Sequence, residues 1–139
     1  MIRFTSGGRE FSLPIGCVER TERIPPTTPM PRAPDYVRGI ASLRGGVVCV
    51  LDLAAMLGQS KHNDEWKSLL VVSVGTRRLG ILSDTLPDFE RVEAEELLGV
   101  PSTDLELYSG AVERDGNLVG LLDPRKLFDH LEERLIDRA

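Results

Sequence analysis

The chain has 139 residues, 41% of them apolar, and a formal net charge of -5. This is the size of one ordinary domain, long enough to bury a core without disulfide or metal staples. An acidic balance, no Lys/Arg block and 5% aromatics exclude the basic footprint of nucleic-acid binding and a membrane-surface patch, so a protein partner is expected.

Met1 to Gly8 carries no long apolar run of the kind a signal peptide needs, and no stretch approaches the roughly 18 apolar residues of a spanning helix. The expectation is a soluble, cytoplasmic protein without membrane insertion. Short apolar runs follow one another: Ile2 to Thr5, Phe11 to Val18, Gly39 to Leu43, Val47 to Leu51, Leu69 to Val74, Leu79 to Leu82, Leu107 to Val112 and Leu118 to Leu122. Their spacing predicts antiparallel hairpins of small barrels. Gly7-Gly8, Gly45-Gly46 and Asp115-Gly116 supply the positive φ that tight turns require, and Thr76-Arg77-Arg78 is a weaker turn signal. Between Arg23 and Pro34, five prolines fix φ and remove five donors, which predicts an irregular connector. It is too short to separate two domains, so residues 1–139 read as one.

Helical signals are few. A short turn is expected over Leu53 to Leu57 and another over Glu93 to Leu98. An amphipathic helix is expected from Pro124 to Ile136, where Leu127, Phe128, Leu131, Leu135 and Ile136 follow a three-four spacing. That helix should dock on a barrel.

A shift of 71 residues lays Gly39, Gly45, Val48, Leu51 and Asp52 over Gly110, Gly116, Val119, Leu122 and Asp123. The repeated unit is strand, glycine turn, apolar strand, aspartate and helical turn, which two similar sub-barrels would produce. Positions common to both copies are demanded by the hairpin, and function lives in the differences. Asp52 ends a strand as a receiver phosphoacceptor does. Asp123 recurs at the same place before Pro124, however, which is the pattern of a helix N-cap followed by proline at the first helical position. Arg44 has Asp115 as its counterpart, so the turn does not demand a guanidinium. It reads either as a solvated turn residue or as a contact for carboxylates and carbonyls of a partner helix. Val37, Ile40 and Leu43 form an apolar lip beside it or belong to the core.

The stretch from Tyr36 to Gly58, with Ser42-Leu-Arg-Gly-Gly at its centre, resembles the signature of CheW-like coupling domains. The resemblance extends from the hairpin at Phe4 through Leu79-Gly-Ile-Leu-Ser-Asp to Gly110, Leu121-Leu-Asp and the last helix. It implies a mainly β fold of two intertwined SH3-like five-stranded β-barrel subdomains with a C-terminal helix. It also implies a non-enzymatic scaffold that joins a chemoreceptor's cytoplasmic tip to the regulatory domain of a CheA-type histidine kinase, recruited to receptor arrays. By motif match, Arg44 corresponds to the family's receptor-facing arginine, Gly39 to its signature glycine and Val18 to the valine ending its second strand, so that Arg44, Val37, Ile40, Leu43 and Val18 are the receptor-binding residues the resemblance implies. Arg20 stands where the family often has a glutamate that would pair with Arg44, which leaves Glu19 or Glu22 as substitutes. Cys49 replaces a common proline.

The alternative is a small ligand-binding or catalytic barrel. Cys17 and Cys49 lie far apart without CxxC or histidine at ligand spacing, so no metal site or disulfide is expected, and both read as small hydrophobes. His62 and His130 form no acid–base pair, and the double glycines lack a phosphate-loop context, so no cofactor is expected. Trp66 reads as a half-buried anchor.

Overall fold

The computed structural model describes residues 1–44, 46–58, 66–99 and 107–138, the last five of these by backbone alone. Ten strands make two five-stranded sheets: β1 (Ile2–Ser6), β2 (Arg9–Leu13), β3 (Val18–Glu22), β4 (Val37–Leu43), β5 (Gly46–Leu51), β6 (Ser68–Val74), β7 (Arg77–Ser83), β8 (Asp88–Phe89), β9 (Tyr108–Arg114) and β10 (Asn117–Leu122). Helix α1 spans Leu53–Met56 and α2 spans Pro124–Arg138. Four hairpins have two-residue connections, since Ser6 pairs with Arg9, Leu43 with Gly46, Val74 with Arg77 and Arg114 with Asn117. Gly7, Gly8, Asp115 and Gly116 take left-handed φ as the sequence requires. The turn expected at Thr76-Arg77-Arg78 sits one residue earlier. Gly75, at φ 61, absorbs it, and both arginines are already in β7.

The sheets are ordered β8-β1-β2-β10-β9 and β3-β6-β7-β5-β4. Strands 3 to 7 of one sheet occupy the places of strands 8, 9, 10, 1 and 2 of the other, so the repeat runs through all ten strands and wraps around the chain ends. Each sheet has one parallel pair, β5 with β7 and β2 with β10, at the same repeat positions, Cys49 and Gly120. Neither sheet closes its ladder into a full barrel. Instead, the segment after β3 bridges Thr28 to Ile40, and the segment after β8 bridges Leu98 to Ala111, which covers the outer edges of β4 and β9. The fold is SH3-like in this open form.

The run expected as one strand from Phe11 to Val18 is broken. Pro14 precedes a single 3₁₀ turn over Ile15–Cys17, so Val18 opens β3 and does not end the second strand. The proline-rich connector is irregular, with Ala33 N–H donating to Met30 O at 3.3 Å across Pro31-Arg32. The main core lies between the sheets: Phe4, Phe11 and Leu122 meet Leu51, Leu70, Val72, Leu79 and Ile81. From the helices, Leu53, Leu127, Phe128 and Leu131 join them. Burying side chains of this size contributes about 1.5–3 kcal/mol each. Each trailing helix crosses to the opposite sheet. Ala54 of α1 lies against Gly7 of the first sheet, while Arg77 of the second sheet reaches Asp129 and Glu132 on α2 at 2.8 and 3.5 Å and stacks over Phe128. The side chains of Leu135 and Ile136 lie outside the described residues.

Candidate protein-contact surface

The β4–β5 hairpin places Arg44 at its tip, exposed. Arg20, on β3, donates through Nη2 to the Arg44 carbonyl at 3.1 Å and through Nε to Glu22 at 2.8 Å. Glu19 is held by Arg78, at 2.7 and 3.3 Å. The pairing of Arg44 with Glu19 or Glu22 is therefore not formed: each carboxylate is engaged by another arginine. Among the described residues the Arg44 guanidinium has no intrachain partner, and Arg20 clamps the backbone of the tip instead of its side chain.

The residues expected beside Arg44 do not form one lip. Val37 is 6% exposed and belongs to the main core, because its side of β4 faces the opposite sheet. Val18 packs half-buried on that same core. Leu43 lies with Trp66 on a separate outer cluster of Ala41, Val50, Leu69 and Leu82. Ile40 is half-buried, its backbone paired to Thr28 in both directions at 2.8 Å. Leu43 and Ile40 thus retain partial access, and Val37 has almost none. Trp66 is the half-buried anchor the sequence suggests.

Among the described residues, Asp52, Asp123, Gly39, Gly110 and Gly116 occupy structural positions common to both repeats. Asp52 is fully buried, and its Oδ1 accepts from Ala55 N–H at 3.1 Å at the start of α1. Asp123 Oδ1 accepts from Arg125 and Lys126 N–H at 3.0 and 3.4 Å at the start of α2. The backbones repeat as well, with Asp52 N–H donating to Tyr36 O and Asp123 N–H to Leu107 O, both at 2.8 Å. A carboxylate sealed from solvent and spent on a cap is not a phosphoacceptor. Gly116 makes the β9–β10 turn, and Gly39 and Gly110 are where the covering segments pass over their hairpins. Gly45 and His62 lie outside the described residues.

Ionisable groups respond to their neighbours. The hydrogen bond from Arg78 holds the Glu19 carboxyl below its ordinary range. The backbone bond with Glu93, followed by Arg114, does the same for Glu96. Burial pushes the Cys17 thiol up to about 11 and raises Cys49, so neither is a reactive thiolate at neutral pH. Both are free, and Cys17 Sγ donates to Pro14 O at 3.0 Å. Among the described residues, no three His, Cys, Asp or Glu side chains converge to hold a metal. No helix among them is long and apolar enough to cross a membrane.

Sequence reasoning missed other exposed apolar side chains. Val47 and Leu118 are 64% and 61% exposed at the same repeat position, one residue inside each second strand. Strand alternation was the available signal, because Val48 and Val119, next along, are buried. Leu86 and Phe89, in the segment leading from β7 through β8, are more exposed still, and they line a shallow groove with Arg3, Thr5 and Glu10 of the β1–β2 hairpin. No periodicity marks them.

Comparison with known proteins gives a consistent result. The family model described as CheW-like domain matches residues 1–132. The chain is 31% identical over 139 residues to a chemotaxis protein CheW of Rhizobium meliloti, covering 96% of this chain and 89% of that protein. It is 28% identical to protein FrzA of Myxococcus xanthus, covering 97% and 88%. The crystal structure of the scaffolding protein TtCheW from Thermoanaerobacter tengcongensis superposes with a TM-score of 0.75 at 19% identity, covering 88% of this chain and 86% of that one.

Proposed function

Because the chain belongs to the CheW-like domain family, we propose that it is a scaffold that couples chemoreceptors to a CheA-type histidine kinase. Proteins of this family are adaptors and not enzymes, and the chain is a chemotaxis-type adaptor. Its work is done by surfaces. The receptor's helical tip meets the β4–β5 hairpin, where Arg44 offers five donors in a rigid fork to carboxylates or helix-end carbonyls, with Leu43 and Ile40 as flanking apolar contacts. The kinase's regulatory domain meets the middle of the chain, around Leu69 to Val92. These two contacts recruit a cytoplasmic protein to receptor arrays without membrane insertion of its own.

The observation that supports this reading most is Arg44 itself. A guanidinium held at a hairpin tip, with Glu19 and Glu22 both spent elsewhere, is available to a partner. Calorimetry against a soluble receptor-tip fragment and against the isolated regulatory domain tests it. Heat of binding is expected with both, and Arg44→Ala is expected to reduce only the first. Absence of binding to either partner rejects the coupling role.

A further inference from the structure

Residues 84–99 leave β7 and run back over the first sheet as a strap. Asp84 N–H donates to Thr5 O at 2.7 Å, Glu90 and Met1 exchange bonds of 2.8 and 2.9 Å, and Leu98 bridges Ala111 on β9. Few of its apolar side chains are buried by this course. Val92, with Met1, packs on the outer cluster of Val112, Val119 and Leu121, whereas Leu86, Phe89, Leu97 and Leu98 face outward. A segment with little apolar burial opens at low free energy unless something else fastens it.

The two-residue β8–β1 pairing fastens it in part, and charge supplies the rest. Arg3 on β1 binds Glu10 and lies 3.6 Å from Glu90 Oε2. Arg114 on β9 binds Glu90 Oε1, donates to Glu96 Oε2 at 2.6 Å and reaches Arg91 O at 3.4 Å. Glu90 therefore stands between guanidiniums from two different strands of the first sheet, with its side chain 13% exposed. At its far end the strap is stiffened by the Glu93–Glu96 capping box, whose Glu96 the same Arg114 holds. Removing a half-buried charge from such a set leaves its partners uncompensated.

We propose that Glu90 is the keystone of an ionic latch that, beside the short β8–β1 pairing, holds the strap closed over the Val112–Val119–Leu121 cluster, making residues 84–99 a unit that opens separately from the other nine strands and is released by salt. Partly exposed ion pairs weaken as the Debye length shrinks, whereas the apolar core does not.

Hydrogen exchange on the full chain tests this. In Glu90→Gln, amides of residues 85–98 are expected to exchange roughly tenfold faster than in the wild type, with β6 and β7 unchanged. Raising salt from about 0.05 to about 0.5 M is expected to accelerate the same amides more in the wild type than in Glu90→Gln, where, of the ion pairs described between strap and sheet, only Arg114–Glu96 remains. A dye that binds apolar surface is expected to brighten in the variant at low salt. Uniform acceleration across β6 and β7 makes Glu90 a global stabiliser and overturns the latch, as does an unchanged strap. Should Glu90→Gln fail to fold, Arg3→Gln leaves the Arg114 arm intact and must show a smaller opening of the same residues. If it shows none, the latch is rejected.

Discussion

Gly39 lies directly under the carbonyl of Thr28: a β-carbon at residue 39 would stand 2.2 Å from that oxygen and 2.7 Å from its carbon. The backbone there adopts φ 145, and the register of β4 against β5 shifts between Val37 and Gly39. The glycine therefore exists for the connector, which can cross β4 only where there is no side chain. At the equivalent position in the second repeat, a β-carbon at Gly110 would be 3.4 Å from Leu98 O, which neighbouring atoms can accommodate.

Gly39→Ala is accordingly expected to lift the proline-rich connector from β4 and cost about 2–4 kcal/mol, while Gly110→Ala costs about 1 kcal/mol or less. Urea unfolding of the two variants measures the difference. Equal losses would mean that the connector crossing is not what fixes the glycine.

For Asp52, the buried cap sets the expectation. Asn keeps a side-chain oxygen for Ala55 N–H and removes a charge whose second oxygen, Oδ2, has no hydrogen-bond partner among the described residues, so Asp52→Asn should lie within about 1 kcal/mol of the wild type and couple nearly normally. Asp52→Ala loses the cap and should cost about 1–2 kcal/mol. Loss of kinase coupling in a folded Asn variant would reinstate a chemical role for the carboxylate.

The Glu19–Arg78 pair makes a pH statement. Glu19 is held below its ordinary value of 4.5 by Arg78, so its folded pKa is the lower one. The associated stabilisation is complete above the unfolded value and disappears as pH falls through the folded one, placing the effect below about pH 4.5. Carboxyl NMR titration should show Glu19 moving up towards its ordinary range in Arg78→Gln. No movement would show that the ion pair is not formed in solution.

Much of this architecture is readable from the chain because local rules and the repeat agree. The 71-residue shift lays β4 on β9 and β5 on β10 end to end, and both aspartates cap the helices that follow. The legible parts are set within a few residues of each other. What escapes is long-range. That β1 and β2 play the parts of β6 and β7 depends on pairing between the two ends of the chain, for which no local pattern exists. Val37, legible only as lip or core, lies in the core because which side chains of β4 face the other sheet is set by packing between distant strands. The ion pairs of Glu90 join residues up to 87 positions apart, and nothing in the neighbourhood of any one of them announces the partner.

Arg44 separates contact from architecture most sharply. Its carbonyl, not its guanidinium, receives the Arg20 clamp, so truncating the side chain leaves the clamp in place. Arg44→Ala should change folding stability by no more than about 0.5 kcal/mol, as for an ordinary exposed residue. As an interface anchor, the same change should weaken receptor binding by about 1–3 kcal/mol. Binding to the kinase's regulatory domain should be unaltered. Arg20→Ala is the complementary variant: it removes the clamp and frees Glu22, and should loosen the tip enough to lower the melting temperature while leaving the Arg44 donors in place. Thermal unfolding measured beside both affinities separates the two residues. A melting temperature that falls together with receptor affinity in Arg44→Ala, or a receptor affinity that does not change, shows that Arg44 is not the receptor contact.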